Sequence, residues 1–98
     1  MDKDAVIEKL RAHESELKAA GIVHLRLFGS VARGEADEKS DVDLMADFDQ
    51  ARRLTILNLV GLQNRLSDLL GTSVDLSEAA RLRANVRVEA VRDAITAF

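Results

Sequence analysis

The stretch IVHLRLFGSVARGEADEKSDVDLMADF, residues 22–48, decides the fold. Its first seven residues alternate: Val23, Leu25 and Leu27 point one way, and His24, Arg26 and Phe28 the other, which is the two-residue period of a half-buried strand. Gly29-Ser30 ends that strand, and Ser30 is positioned to cap a short helix over Val31–Gly34. Residues 35–40 form a charged loop. Residues 41–48, DVDLMADF, read as a second strand.

Working outward, residues 4–20 carry Val6, Leu10, His13 and Leu17 on one helical stripe, widened by Ile7, with Asp2 and Asp4 at the positive end and Gly21 as the C-cap. On the other side, Gln50–Leu70 is helical, with a wide apolar face of Ile56, Leu59, Val60, Leu62, Leu66, Leu69 and Leu70. Gly61 inside this helix costs about 1 kcal/mol against alanine, so it marks close packing. Gly71 closes the helix. TSVDL, residues 72–76, is a short third strand, and the tail is a helix with Ala84, Val88, Val91, Ile95 and Phe98 on one stripe. The order αβαβαβα describes a single small α/β (α+β) domain over residues 1–98, with a three-stranded mixed sheet flanked by helices.

Composition narrows the function. The formal charge of −3 argues against a nonspecific hold on a nucleic-acid backbone, and DNA is not an expected partner. Three Phe with no Trp or Tyr disfavour a base-stacking platform. The chain has no cysteine, hence no disulfide and no thiolate metal site. The opening MDKDAVIEKL is charged and lacks an apolar signal core, and no apolar run is long enough to span a bilayer. These features lead to the expectation of a cytoplasmic protein.

Asp41 and Asp43, two apart in a strand, put both carboxylates on one face with Cα atoms roughly 7 Å apart. Such a pair suits magnesium, which takes oxygen ligands and only one or two protein carboxylates, leaving room for a substrate phosphate. Taken alone, Asp-x-Asp at a strand end is ordinarily a pair of solvated residues, and Gly-Ser is ordinarily a turn with a cap. Their combination changes the reading. If the end of the first strand lies beside the start of the second, the two strands are antiparallel and the Gly29-Ser30 turn shares an edge with the aspartates. A strand–helix–strand crossover makes the second and third strands parallel, which brings Asp75 to the same edge. Three carboxylates beside a phosphate-holding turn are the parts of in-line phosphoryl or nucleotidyl transfer.

Gly29-Ser30, the Asp41-Val42-Asp43 that follows and the later Val74-Asp75-Leu76 resemble the DNA polymerase β-type nucleotidyltransferase superfamily. The fuller string GSVARGEADEKSDVDL resembles its minimal nucleotidyltransferase (MNT) family. The resemblance implies the nucleotidyltransferase fold, with Gly29 and Ser30 holding the β- and γ-phosphates of ATP. It implies two Mg²⁺ ions on Asp41 and Asp43, with Asp75 completing the catalytic metal site and helping to deprotonate the acceptor. It also implies an antitoxin partnered with a HEPN-domain ribonuclease toxin, in a type VII-like toxin–antitoxin pair, whose active members transfer AMP to a toxin tyrosine. Ser77-Glu78 departs from the family pattern just after Asp75, and the geometry there stays open. Arg33, one turn past Ser30, is a candidate for phosphate binding or a neighbouring carboxylate.

Other polar residues carry plainer readings. Glu35, Asp37, Glu38 and Lys39 belong to a solvated loop. Asp47 lies about 13 Å beyond Asp43 and cannot share its metal. His13 and His24 read as packing histidines, and Arg81, Arg83, Arg87 and Arg92 as a solvated helix face. Two alternatives to the adenylyltransferase remain: an antitoxin that blocks its toxin sterically, and nucleotidyl transfer to RNA or a small molecule. Homo- or hetero-oligomerisation stays open.

Overall fold

A computed structural model describes residues 2–35, 41–81, 85, 88 and 92–98. Its elements run α1 (Lys3–Ala12), α2 (Glu14–Ala19), β1 (Ile22–Phe28), α3 (Gly29–Arg33), β2 (Val42–Phe48), α4 (Ile56–Leu70), β3 (Val74–Glu78), a 3-10 turn (Ala79–Arg81) and β4 (Ile95–Thr96). The sheet order is β3-β2-β1-β4, with β1 antiparallel to β2 and β4, and β2 parallel to β3. The α+β class and the mixed sheet are as expected. Among the described residues no helix is long and apolar enough to cross a membrane.

The sheet has two unlike faces. Val42, Leu44 and Ala46 of β2 join Leu25 and Leu27 of β1 in a core closed by Val6, Leu10 and Leu17 from α1 and α2 and by Leu62, Leu66 and Leu70 from α4. Period-two alternation sends Asp43, Met45 and Asp47 to the opposite face. There Met45 packs on Ala79 and half-buried Phe28 in a small separate cluster.

Several boundaries differ from the sequence expectation, each for a local reason. The helix over residues 4–20 is two helices. At His13 (φ −109°, ψ 17°) the N–H bonds Leu10 O at 3.1 Å, and the ring Nδ1 lies 2.9 Å from Lys9 O. His13 is half-buried, as a packing histidine should be, whereas His24 is exposed. The first strand carries a bulge: Ile22 pairs with Phe48 and His24 with Asp47, leaving Val23 extra. The bulge resets the alternation, so Ile22 is buried and Val23 is 42% exposed.

α3 begins at Gly29, with extended Phe28 at the N-cap position, so Ser30 sits inside the first turn and does not cap it. α4 starts six residues later than expected. Residues 49–52 instead form a turn in which Asp49 Oδ1 accepts from Ala51 N at 2.9 Å, and Thr55 caps α4 with Asn58 in a reciprocal box. Gly71 closes α4 in the left-handed conformation. A methyl group at Gly61 would meet nothing within 4 Å, so among the described residues the expected close packing is not there. The third strand spans Val74–Glu78 and carries Ser77-Glu78 within it.

The tail corrects the strand count to four among the described residues. Ile95 and Thr96 pair with Leu27 and Arg26 as an edge strand and do not continue a helical stripe to Phe98. Arg11 explains the strand: its guanidinium donates to Ala97 O at 2.7 Å and to Thr96 O at 3.2 Å, fixing an extended backbone. Val88 is exposed, and Ala84, Val91, Arg83 and Arg87 lie outside the described residues.

Candidate active site

The end of β1 and the starts of β2 and β3 meet at one corner of the sheet. Phe28, the last residue of β1, stands opposite Asp43, and Asp43 pairs in parallel register with Asp75. The turn that leaves β1 is therefore pressed against the Asp43 side chain. Gly29 has φ +76°, and a Cβ there would run into Asp43 Oδ2 while lying 3.1 Å from Cγ and 3.3 Å from Cβ. Only glycine fits, for its backbone conformation and for its missing side chain. Ser30, half-buried, follows in the first turn of α3.

Asp75 lies on the same sheet face as Asp43, since residues in register on neighbouring strands share a face. Asp41 precedes β2 and is exposed. The crowding has a measurable consequence. Asp43 is held above the ordinary aspartate pKa, first by burial, then by the charges of Asp75 and Asp41, against a smaller opposing pull from Arg33.

Arg33 lies within electrostatic range of this corner but is engaged elsewhere. Its Nε donates to Glu35 Oε2 at 3.0 Å and its Nη1 to Asp93 Oδ2 at 3.4 Å. The hydrogen bond to Glu35 is the main reason its pKa is raised. Glu35, read from sequence as a solvated loop residue, is thus an exposed ion-pair partner. Asp93 carried no sequence signal at all, being sixty residues distant along the chain. Phe28 also escaped sequence reading as a site residue, although its register with Asp43 makes it the apolar wall of the corner. Asp47, as expected, is apart from the corner and pairs with Arg26 at 3.5 Å. Lys39, Asp37 and Glu38 lie outside the described residues.

The donor set fits a hard divalent cation. Asp41, Asp43 and Asp75 offer only oxygen, and the raised pKa of Asp43 reflects first its burial and then the charges of the other two carboxylates, only partly offset by Arg33. Among the described residues no three His, Asp or Glu side chains are already gathered to hold a metal ion. Magnesium does not require a preformed protein cage, because it usually keeps waters and substrate oxygens among its ligands.

Comparison with known proteins agrees with this geometry. Protein adenylyltransferase MntA of Thermococcus cleftensis is 37% identical over 87 residues, covering 88% of this chain and 86% of that protein. A solved chain assigned as a minimal nucleotidyltransferase superposes with a TM-score of 0.81 at 39% identity, covering 97% of this chain and 95% of its own. The same fold also recurs in a chain of a solved tri-AMPylated Shewanella oneidensis HEPN toxin in complex with MNT antitoxin. That likeness has a TM-score of 0.62 at 17% identity, covers 90% and 71% of the two chains, and is one of fold alone. The family model of the nucleotidyltransferase domain matches residues 7–96, which contain the glycine turn and all three aspartates. A corner built in this way, on a chain that matches the domain nearly end to end, makes this protein a nucleotidyltransferase of the minimal nucleotidyltransferase family.

Proposed function

We propose that this protein transfers AMP from ATP to a protein hydroxyl, in a Mg²⁺-dependent reaction, and that the acceptor is a tyrosine of a HEPN toxin for which this chain is the antitoxin. The observation that carries the reading is the register of Asp43 with Asp75 beside the Phe28–Gly29 turn. The naming of a relative as a protein adenylyltransferase and the fold shared with a chain of the complex between an AMPylated HEPN toxin and MNT antitoxin support the choice of donor and acceptor.

In this reading Asp41, Asp43 and Asp75 hold the metal. Bound Mg²⁺ supplies charge neutralisation for the triphosphate and its leaving group. Gly29 and Ser30 receive the β- and γ-phosphates, where the missing Cβ lets phosphate approach the backbone. Arg33 exchanges its carboxylate partners for a phosphate oxygen. Asp75 accepts the proton of the incoming hydroxyl, whose oxygen bonds to the α-phosphorus as the bond to the β-phosphate oxygen breaks and pyrophosphate leaves. The exposure of Asp41 and Asp75 leaves the corner open to an acceptor as large as a protein.

The test incubates the protein with ATP labelled at the α-phosphate, Mg²⁺ and a HEPN-domain protein offered as the acceptor. Label is expected on the HEPN protein, none without Mg²⁺, and none with Asp43→Asn. If no label moves while the wild type and Asp43→Asn neutralise the toxin equally, the protein acts by binding alone. Label on RNA or a small molecule in place of the HEPN protein would replace the proposed acceptor.

A further inference from the structure

Arg33 stands beside three carboxylates and bonds two others. It lies about 6 Å along α3 from Gly29, at 1.5 Å per residue, and helical Cα–Cβ bonds tilt toward the amino terminus, so its guanidinium is placed to reach the Gly29 turn. That turn is pressed against Asp43, and the charge of Arg33 already acts on the Asp43 carboxyl. A long cationic side chain within reach of Asp41, Asp43 and Asp75 would be drawn into an ion pair with them. Among the described residues it bonds none of the three. Its Nε and Nη1 are taken instead by Glu35, two residues away, and by Asp93, sixty residues away.

The backbone sets both partners in place. Gly34, at φ +74°, ends α3 in the left-handed conformation, with Gly34 N bonded to Val31 O at 3.1 Å and Glu35 N to Ser30 O at 2.9 Å. These are the paired bonds of a Schellman cap, and they fold Glu35 back beside the helix it follows. Asp93 is delivered by the tail. Ile95 pairs antiparallel with Leu27, so the chain two residues before Ile95 runs past the end of β1 to the start of α3. We propose that Glu35 and Asp93 hold Arg33 off the aspartate corner and so keep that corner open to Mg²⁺, which makes Asp93 a positioning residue of the nucleotide site. The role rests on the reading in which Asp41, Asp43 and Asp75 hold the metal.

A guanidinium and a divalent cation are alternatives at the same oxygens. Arg33 lying on the aspartates would neutralise them and compete with Mg²⁺ for them. Held by Glu35 and Asp93, it leaves those oxygens to the metal and stays within reach of a phosphate. The hold is also reversible. Arg33, Glu35 and Asp93 all have side chains at least one-third exposed, and ion pairs in contact with water are weak. A phosphate arriving with Mg²⁺ offers charge-assisted bonds in the fork geometry that arginine prefers, and takes the guanidinium from its two carboxylates. The device acts on the affinity for Mg²⁺ and not on the transfer step, so its loss is masked once Mg²⁺ is saturating.

Titration of the ¹⁵N-labelled chain with Mg²⁺ alone, followed at the amides of Asp41, Asp43 and Asp75, tests the proposal without any acceptor. The double variant Glu35→Gln/Asp93→Asn is expected to raise the Mg²⁺ dissociation constant by at least about fivefold, and Asp93→Asn alone to raise it by less. Arg33→Met is expected to bind Mg²⁺ at least as tightly as the wild type. In the Arg33→Met background the same two carboxylate changes should leave the constant within about twofold, because no guanidinium is left to release. At saturating Mg²⁺ the sign reverses: Asp93→Asn is expected to bind an ATP analogue that resists cleavage between the α- and β-phosphates more tightly, since Asp93 no longer competes for Arg33. A residue that merely supports the fold would weaken both ligands. Unchanged amide positions in β2 and α4 separate loss of the hold from loss of fold. Equal Mg²⁺ affinity in the wild type and the double variant overturns the proposal, and so does a loss of the same size in the Arg33→Met background, which is the simple effect of removing negative charge. A wild type whose three aspartate amides do not respond to Mg²⁺ at any concentration removes the metal reading, and this role with it, whereas failure to label a HEPN protein leaves both standing.

Discussion

Asp43 shows how function and stability pull apart at a single side chain. Burial and the charges of Asp75 and Asp41 raise its pKa in the folded protein, so the ionised form is disfavoured by folding. A carboxylate with a raised folded-state pKa contributes stability that is fully present below the unfolded value, about 3.9, and is lost as pH rises through the folded value. At neutral pH the wild type therefore carries a destabilising charge that Asp43→Asn removes. The variant is expected to melt at a higher temperature than the wild type at pH 7, with the difference shrinking as pH falls through the raised folded-state pKa of the wild-type carboxyl. Mg²⁺ should raise the melting temperature of the wild type and leave the variant nearly unmoved. Differential scanning calorimetry at pH 7 and at lower pH, with and without Mg²⁺, checks each part; a variant less stable than the wild type at pH 7 contradicts the argument. At this scale the sequence was informative wherever local geometry dictates position. The two-residue period and the parallel crossover suffice to bring Asp41, Asp43 and Asp75 to one edge. Asp93 was invisible because its meeting with Arg33 depends on how the tail returns, which no local pattern encodes.

Elements were legible in kind and less so in their limits. α4 illustrates why. The sequence reading starts the helix at Gln50, but it cannot start there because Asp49 holds residues 49–52 in a turn. Its beginning is set by Thr55 and Asn58. Thr55 Oγ1 accepts from Asn58 N at 3.2 Å, and Asn58 Oδ1 accepts from Thr55 N at 3.0 Å, satisfying two donors that the helix end would otherwise leave open. Asparagine in the position where Glu or Gln is usual hides the box from a sequence scan. Thr55→Ala is expected to cost about 1 kcal/mol, read as a lower urea midpoint at unchanged slope. The same helix guards the free edge of β3: Ser67 Oγ accepts from Val74 N at 3.2 Å and Gln63 Oε1 from Leu76 N at 3.0 Å. These outward amides would otherwise template pairing with another chain. Neither side chain announces that role in sequence, since it depends on how α4 lies along β3. The β1 bulge is similar: a single extra residue at Val23 turned an apparently regular alternation out of phase.

Across the whole molecule β1 serves both the chemistry, through Phe28 at its end, and the closure of the fold, through Leu25, Arg26 and Leu27 just before it. Its carboxyl end supplies Phe28 and Gly29 to the carboxylate corner, while Leu25 and its neighbours receive the chain's last residues. Ala97 N bonds Leu25 O at 2.8 Å, Leu25 N bonds Phe98 O at 3.2 Å, and Lys18 Nζ stands 5.7 Å from the centre of the Phe98 ring. A two-residue strand cannot hold an edge by its ladder alone, and here α1 does the holding through Arg11, which reaches the carbonyls of Ala97 and Thr96. Arg11 is exposed, so its hydrogen bonds compete with water and their net contribution is about 1 kcal/mol. Removing it should loosen the tail without disturbing the corner, because Asp43 and Asp75 are anchored by the β1–β2–β3 register and not by β4. Arg11→Ala is therefore expected to speed hydrogen exchange at the amides of Leu25 and Ala97 while those of Leu44 and Met45 keep their protection, with nucleotidyl transfer unchanged. If exchange rose equally across β2, the tail would be part of the same cooperative unit as the catalytic strands, and its docking would have to be counted among the conditions for activity.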